Sequence, residues 1–277
     1  MNDLAGKRAV VTGAGSGIGR ALAIALNARG CHLELADIQL DALEQTRQLL
    51  TKPEPECQLQ QLDVSDQRAM EAWAASVAER HEAVDILINN AGVTIGGTAE
   101  ENSLEDVRWL MGINFWGVVY GCKFFLPLLH RSPAARLVNI SSVFGLIGVP
   151  TQSAYNASKF AVRGYTEALR QELADSQISV CCVHPGGVKT NIARAARSGR
   201  PDGRKPPFSD QFEDITRTTP DQAAQVILRA ITKWKPRLVI GLDGKFIAFV
   251  ARMFPASYPQ IFKFLLGVTA SKMLTID

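Results

Sequence analysis

The chain has few cysteines, and none is spaced as a metal site or disulfide frame requires. The five among 277 residues, at positions 31, 57, 122, 181 and 182, are odd in number and contain no CxxC pair. That pattern predicts free, mostly buried thiols in a reducing, cytoplasmic compartment, and it excludes zinc ligation. The four histidines (32, 81, 130 and 184) also lack metal spacing, so no metal is assigned. An excess of either charge is missing too: 30 Lys+Arg against 27 Asp+Glu leave +3, too near balance for a dedicated nucleic-acid binder. No uninterrupted apolar run reaches about 18 residues, so no membrane-spanning helix is predicted. The early charges in Met1–Gly13 predict no secretory signal. Internal repeats and low-complexity tracts are absent. A hydrophobic content of 47% with 21% charged residues excludes a disordered chain.

What is present is alternation. Short β-branched runs at Arg8–Thr12, Cys31–Ala36, Cys57–Leu62, Val84–Asn89, Arg136–Ser141, Ile178–His184 and Leu238–Gly241 read as strands. Helical patterns lie between them near 18–29, 40–50, 66–80, 103–130, 153–174 and 220–233. Four of the strands are nearly continuous apolar runs, as parallel strands covered on both faces require. The expected fold is therefore α/β: a doubly wound, mainly parallel seven-stranded sheet with helices on both faces. Ligands in such sheets sit beyond the carboxyl ends of the strands. One domain over 1–277 is expected. It carries a substrate loop at about 190–220, marked by the Arg-, Gly- and Pro-rich stretch Arg194–Pro220, and an apolar C-terminal extension at about 244–277. Thr219-Pro220-Asp221 reads as a helix start.

The first strand runs into Thr12-Gly13-Ala14-Gly15-Ser16-Gly17-Ile18-Gly19. Glycines at a strand-to-helix turn let the backbone approach a pyrophosphate and aim helix N-terminal amides at it. The spacing is TGxxxGxG rather than GxGxxG or GxxxxGK[ST]. Asp37 follows the second strand, where a carboxylate accepts both ribose hydroxyls of adenosine and repels a 2′-phosphate, or else caps a helix or sits as a solvated loop acid. Asp63-Val64 closes the third strand. There a short acid suits the adenine amino group, and a helix cap competes, since Ser65 and Asp66 also look like caps. Asn89-Asn90-Ala91-Gly92 ends the fourth strand and suits a wall against a ribose as well as a turn. Tyr155 and Lys159, four apart, share one helix face, and Ser141-Ser142 end the fifth strand at the same sheet edge.

Taken in order, these residues resemble the short-chain dehydrogenases/reductases with a single Rossmann domain. The resemblance runs from Lys7 to about Thr190. It is carried by Thr12-Gly13-(x3)-Gly17-x-Gly19, Asp63, Asn89-Asn90-Ala91-Gly92, Asn114, Ser142, Tyr155-(x3)-Lys159 and Pro185-Gly186-(x3)-Thr190. It implies reversible hydride transfer between a nicotinamide and an alcohol or carbonyl carbon. It also implies that Gly13, Ser16, Gly17, Ile18, Gly19, Asp37, Asp63, Val64, Asn90, Ala91, Gly92, Tyr155, Lys159, Pro185, Gly186 and Thr190 bind the cofactor. Catalysis falls by the same resemblance to Asn114, Ser142, Tyr155 and Lys159. Tyr155 is the acid/base, its phenol lowered by Lys159 and the nicotinamide ring. Lys159 also bridges the nicotinamide ribose hydroxyls, and Ser142 donates to the substrate oxygen. Mid-helix Asn114 holds a water joining Lys159 to solvent, or is simply a buried amide satisfying backbone. Strand alternation sends Ser141 to the opposite face from Ser142, as a structural residue.

Expected, then, is an oxidoreductase interconverting a secondary alcohol and a ketone, with a hydrophobic substrate. NAD is preferred over NADP because Asp37 is acidic, Ser16 brings no positive charge, and Ile38 stands where a basic residue would favour NADP; Arg20 complicates this. The other reading is a nucleotide-sensing or scaffold protein that keeps the fold without turnover. Apolar residues around the long helices 103–130 and 153–174 fit either a partner chain or simple core packing, and the resemblance favours a homodimer or homotetramer. The apolar extension leaves three readings open: packing across the substrate cleft, pairing with a neighbouring subunit, or peripheral contact with a bilayer.

Overall fold

The computed structural model describes residues 4–52, 56–192, 195–198 and 218–264. Numbered in chain order, its strands are β1 (Arg8–Thr12), β2 (His32–Asp37), β3 (Cys57–Gln61), β4 (Ile86–Asn89), β5 (Ile95–Gly96), β6 (Ala135–Ile140), β7 (Ile178–Pro185), β8 (Arg197–Ser198) and β9 (Arg237–Ile240). Seven form one parallel sheet in the order β3-β2-β1-β4-β6-β7-β9, and β5 pairs with β8 apart from it. Val10 lies level with Glu34 on β2 and with Leu87 on β4, so β1 is central and the strand order reverses beside it. That reversal opens a crevice at the carboxyl edge, between β1 and β4.

The helices are α1 (Gly17–Asn27), α2 (Leu40–Gln48), α3 (Gln67–Arg80), α4 (Leu104–Met111), α5 (Gly117–His130), α6 (Ser153–Glu172), α7 (Pro220–Thr232) and α8 (Leu242–Met253). Strand alternation divides the core between two sheet faces. Val11, Ile88 and Val183 join Leu22 and Leu26 of α1 and Ile227 and Ile231 of α7 on one face. Val10, Leu87 and Leu137 join Trp73, Phe125, Val162 and Leu169 of α3, α5 and α6 on the other. Trp73 meets Phe125 edge-on, with ring centroids 5.0 Å apart.

The doubly wound fold is as the strand pattern predicts. The long helix predicted over 103–130 departs from expectation in one respect: a π-helical turn, Gly112–Trp116, separates α4 from α5, so Asn114 sits in that turn. By length and composition Leu104–His130 would suit a membrane span, with only Glu105, Asp106, Arg108 and Lys123 charged along it. Half of its most apolar window is buried inside the protein, where Phe125, Leu128 and Leu129 fill the core. Asp66, not Asp63, caps α3, accepting from the Arg68 and Ala69 amides at 2.9 and 3.1 Å. α7 opens on a capping box between Thr219 and Gln222 with Pro220 in its first turn, as the sequence predicts.

Of the predicted substrate loop, 193–194 and 199–217 lie outside the described residues, as do 265–277 of the extension. The two ends of the loop meet: Lys189 N–H donates to the Thr218 carbonyl at 2.9 Å. Downstream of β9 the chain turns helical again in α8 and over 258–264. Val250 and Phe262 from this segment bury against Ile147, with Phe144 and Val149 alongside.

Candidate functional site

A cleft of about 670 Å³ opens at the carboxyl edge of the sheet. Of the residues expected to act, Gly13, Ser16, Gly17, Ile18, Asp37, Asp63, Val64, Asn90, Ala91, Gly92, Ser142, Tyr155, Lys159, Pro185, Gly186 and Thr190 all line it. Gly19 and Asn114 lie behind its wall.

The glycine turn is built by close approach. Gly13 has φ +66°, and a Cβ there would stand 2.8 Å from the Ala91 Cα. At Gly19 a Cβ would collide with the Gly13 carbonyl oxygen and reach the Asn90 amide. Asn90 binds the turn to β4: its Nδ2 donates to the Thr12 and Gly13 carbonyls at 2.9 and 3.1 Å. Thr12 Oγ1 returns the contact, accepting from the Asn90 and Ala91 amides at 3.0 and 3.2 Å. Thr12 matters here beyond its place in the motif, and only the fold reveals it.

Asp37 accepts the Gly15 amide at 2.9 Å and the Gln39 amide at 3.1 Å, which fixes its carboxylate at the cleft beside the glycine turn. Arg20 is bound elsewhere. Its guanidinium donates to the Gly15 carbonyl, to the Ala42 carbonyl at 3.2 Å and to Thr46 Oγ1 at 3.0 Å, and it does not line the cleft. Asp63 Oδ1 accepts both the amide and the hydroxyl of Ser65 at 2.8 Å, closing its own turn.

The reacting end is formed by β6 and α6. Ser141 and Ser142 diverge as alternation predicts: Ser141 Oγ donates to the Lys159 carbonyl at 2.8 Å. Ser142 Oγ accepts the Phe144 amide at 3.1 Å, which leaves its own proton free to donate elsewhere. The Ser142 carbonyl is anchored by Nδ1 of buried His184 at 3.0 Å. A carbonyl only accepts, so this nitrogen carries a proton, and burial pulls the ring's pKa down to about 4, which favours its neutral form. Nothing in the sequence signals this role for His184.

Lys159 is buried, and its Nζ donates to the Ile140 carbonyl at 3.2 Å. Burial draws its pKa down to about 8, opposed by nearby Cys182. The Tyr155 phenol is pushed up to about 12 by burial, with hydrogen bonding to Ser142 working against it. The expected lowering of the phenol by Lys159 is therefore not a property of the chain by itself; desolvation outweighs it. Lys159 Nζ stands 5.7 Å from the centroid of the Tyr155 ring. Asn114 is buried: Oδ1 accepts the Val93 amide at 2.8 Å, and Nδ2 donates to the Val93 carbonyl at 2.9 Å and to Ser158 Oγ at 3.0 Å. Gly92 fits between Asn114 and Lys159, since a Cβ there would lie 3.2 Å from Asn114 Oδ1 and 3.3 Å from Lys159 Nζ.

Beyond these groups the cleft is lined by Val93, Thr94, Trp109, Val143, Phe144, Gln152 and Arg197, residues the sequence pattern does not single out. Arg197 lies over the Trp109 ring, 3.6 Å from its centroid, and pairs with Asp106 at 3.5 Å. Among the described residues nothing downstream of Arg197 lines the cleft. The described part of the C-terminal segment packs against the loop at 144–149. No group of three His, Cys, Asp or Glu that could hold a metal occurs among the described residues.

These features fit a nicotinamide dinucleotide: a turn that only glycine fills, a carboxylate fixed beside it, and a Ser, Tyr and Lys at the far end of one cleft. Comparison with known proteins agrees. The family model described as short chain dehydrogenase matches residues 7–201. The Mycobacterium tuberculosis protein SadH is 42% identical over 265 residues, covering 94% of this chain and 95% of that one. The 3-ketodihydrosphingosine reductase of Bacteroides thetaiotaomicron is 33% identical over 205 residues, 73% of this chain and 72% of its own. Among solved structures, a short chain dehydrogenase/reductase from Burkholderia phymatum in complex with NAD is 28% identical. It superposes with a TM-score of 0.78 and covers 100% of this chain and 99% of that chain.

Proposed function

Because the chain belongs to the short chain dehydrogenase family, we propose that it is an NAD-dependent oxidoreductase interconverting a hydrophobic secondary alcohol and its ketone. The observation that carries this reading is the meeting of Ser142, Tyr155 and Lys159 in the same cleft as the glycine turn. When bound, the nicotinamide ring supplies the hydride acceptor or donor.

In oxidation, Tyr155 as the phenolate takes the proton of the substrate hydroxyl; in reduction, its phenol returns that proton to the carbonyl oxygen. A phenol held near 12 is a reluctant base, so a neighbouring positive charge is needed. Lys159, with a pKa of about 8, is mainly cationic at neutral pH and supplies that charge from the same helix face. Ser142, whose Oγ accepts the Phe144 amide, gives its own proton to the substrate oxygen. Asn114 keeps the Gly92–Thr94 stretch against Lys159, and a water on the second lone pair of its Oδ1 would join Lys159 to solvent.

NAD preference follows from Asp37, whose carboxylate repels a 2′-phosphate, and from Arg20, whose guanidinium is already bound to main-chain carbonyls. An apolar substrate is supported by Val93, Trp109, Val143 and Phe144 at the far end, and by the relative named as a keto-compound reductase. The whole chain acts as one domain in this reading, with 190–220 as its substrate loop. Four of the five free cysteines are buried, in keeping with a reducing cytoplasm. Exposed Trp116, stacked on Tyr120 at 5.8 Å, and exposed Phe160 support assembly into a homodimer or homotetramer through α5 and α6.

The test is a panel of secondary alcohols and ketones graded from small and polar to long-chain and polycyclic, followed by the absorbance of the reduced nicotinamide. Turnover with NAD, with kcat/KM rising with apolar size, is the expected result. Nucleotide binding with no turnover anywhere on the panel would favour a sensing or scaffold role instead.

A further inference from the structure

The C-terminal segment presents a second surface that the oxidoreductase reading does not use. α8 buries Val250, with Ile247 and Ala251 beside it, against the loop at 144–149, and its Gly244 faces Val143, Val239 and Gly186. Its opposite face carries Leu242 (84% exposed), Phe246, Phe249 (62% exposed) and Met253 at spacings of four, three and four, a single stripe along the helix. Phe254 and, in the helical stretch 258–264, Phe264 (86% exposed) extend it. Six of the thirteen large hydrophobic side chains exposed among the described residues fall in this short segment. A scatter of single exposed apolar residues is ordinary, whereas one continuous patch marks a contact surface.

The charges choose the partner. Between Leu242 and Phe264 there are three cations, Lys245, Arg252 and Lys263, and one acid, Asp243. Lys245 and Arg252, seven apart, run along one flank of the stripe. Asp243 is turned away from it, accepting the Gly187 amide at 2.7 Å beneath the helix. Two copies meeting through this face would bring like charges together, whereas an anionic head-group layer complements them.

We propose that α8 and 258–264 dock the protein onto an anionic lipid surface. The helices lie in the plane of the interface. Phe246, Phe249, Phe254 and Phe264 enter the acyl boundary, and Lys245, Arg252 and Lys263 meet the head groups. The docking face and the cleft share a wall, since the loop it packs on includes Phe144, whose ring meets Tyr155 edge-on at 6.0 Å.

The full chain is mixed with vesicles of phosphatidylcholine alone, or with about a third phosphatidylserine, and co-sedimented. Binding to the mixed vesicles is expected, weaker by at least about 10-fold on phosphatidylcholine alone and in high salt. Phe249→Glu with Phe264→Glu, at exposed positions that leave the thermal melt unchanged, should lower binding about 10-fold or more. Should that variant fold poorly, Lys245→Glu with Arg252→Glu provides the same comparison through the charged flank. No binding to either vesicle, or binding unaffected by a folded variant of either kind, overturns the proposal. So does a light-scattering mass that falls on substitution while vesicles remain unbound, which would make a second copy of the chain the occupant.

Discussion

Around the glycine turn nearly every polar contact has a main-chain group on one side. Asn90 donates to the Thr12 and Gly13 carbonyls, Thr12 accepts the Asn90 and Ala91 amides, and Asp37 accepts the Gly15 amide. On the substrate side of the same cleft, past Ser142 and Lys159 with their main-chain anchors, side chains also meet side chains. Arg197 lies on Trp109, Phe144 meets Tyr155, and Thr94 Oγ1 donates to Gln152 Oε1 at 3.0 Å. Main-chain partners admit few residue types in one geometry, so that half suits a fixed ligand. Side-chain contacts are met by many combinations, so the other half can be matched to a particular substrate.

That division predicts which substitutions separate binding from chemistry. Tyr155→Phe acts only at the reacting end. Turnover should fall by about 10³-fold while NAD affinity, read by intrinsic fluorescence, stays within about threefold. Comparable turnover with cofactor bound would take the acid/base role from Tyr155. Gly19→Ala strikes the other half, driving a Cβ onto the Gly13 carbonyl oxygen and the Asn90 amide. Cofactor affinity should weaken by about 100-fold, with about 1–3 kcal/mol lost in thermal unfolding. Wild-type affinity in a folded Gly19→Ala protein would detach the turn from the cofactor.

Asp37→Ser sharpens the account of selectivity. Removing the carboxylate should move the NADP-to-NAD ratio of kcat/KM toward NADP by about 30-fold, measured with both cofactors on one alcohol. An unchanged ratio would place selectivity elsewhere. The smallest effect concerns stability. Lys159 has no carboxylate within ion-pair distance among the described residues, and its folded pKa, about 8, lies below the ordinary 10.5. Between those values the unfolded chain binds more protons, so stability rises with pH through that window and is penalised below it. Lys159→Met should therefore gain about 1–2 kcal/mol at pH 7 and flatten the rise between pH 8 and 10, seen in melts across pH. Loss of stability at pH 7 would contradict the view of Lys159 as a buried charge kept for chemistry.

Legibility follows the same division. The sheet strands were readable to within two residues because runs such as Ala9-Val10-Val11 are apolar on both faces. The glycine turn, Asp37 and the Ser142, Tyr155 and Lys159 set were readable because each needs a particular residue type at a particular spacing. The π-helical turn at Gly112–Trp116 was hidden, since inserting one residue barely disturbs helical periodicity. β5 and β8 are two residues each, too short for any alternation to register. α8 was readable only as an apolar extension, because its exposed stripe and its buried face are both hydrophobic. His184 was unreadable because its partner is a main-chain carbonyl 42 residues away.

The central claim is that hydride passes between a substrate carbon and the nicotinamide in this cleft. It is tested most directly by a secondary alcohol deuterated at its carbinol carbon, incubated with the protein and NAD. Mass spectrometry of the recovered nucleotide should find one deuterium on the reduced nicotinamide and none in the Tyr155→Phe control. Nucleotide that binds yet returns oxidised and unlabelled with every alcohol that enters the cleft would contradict the account.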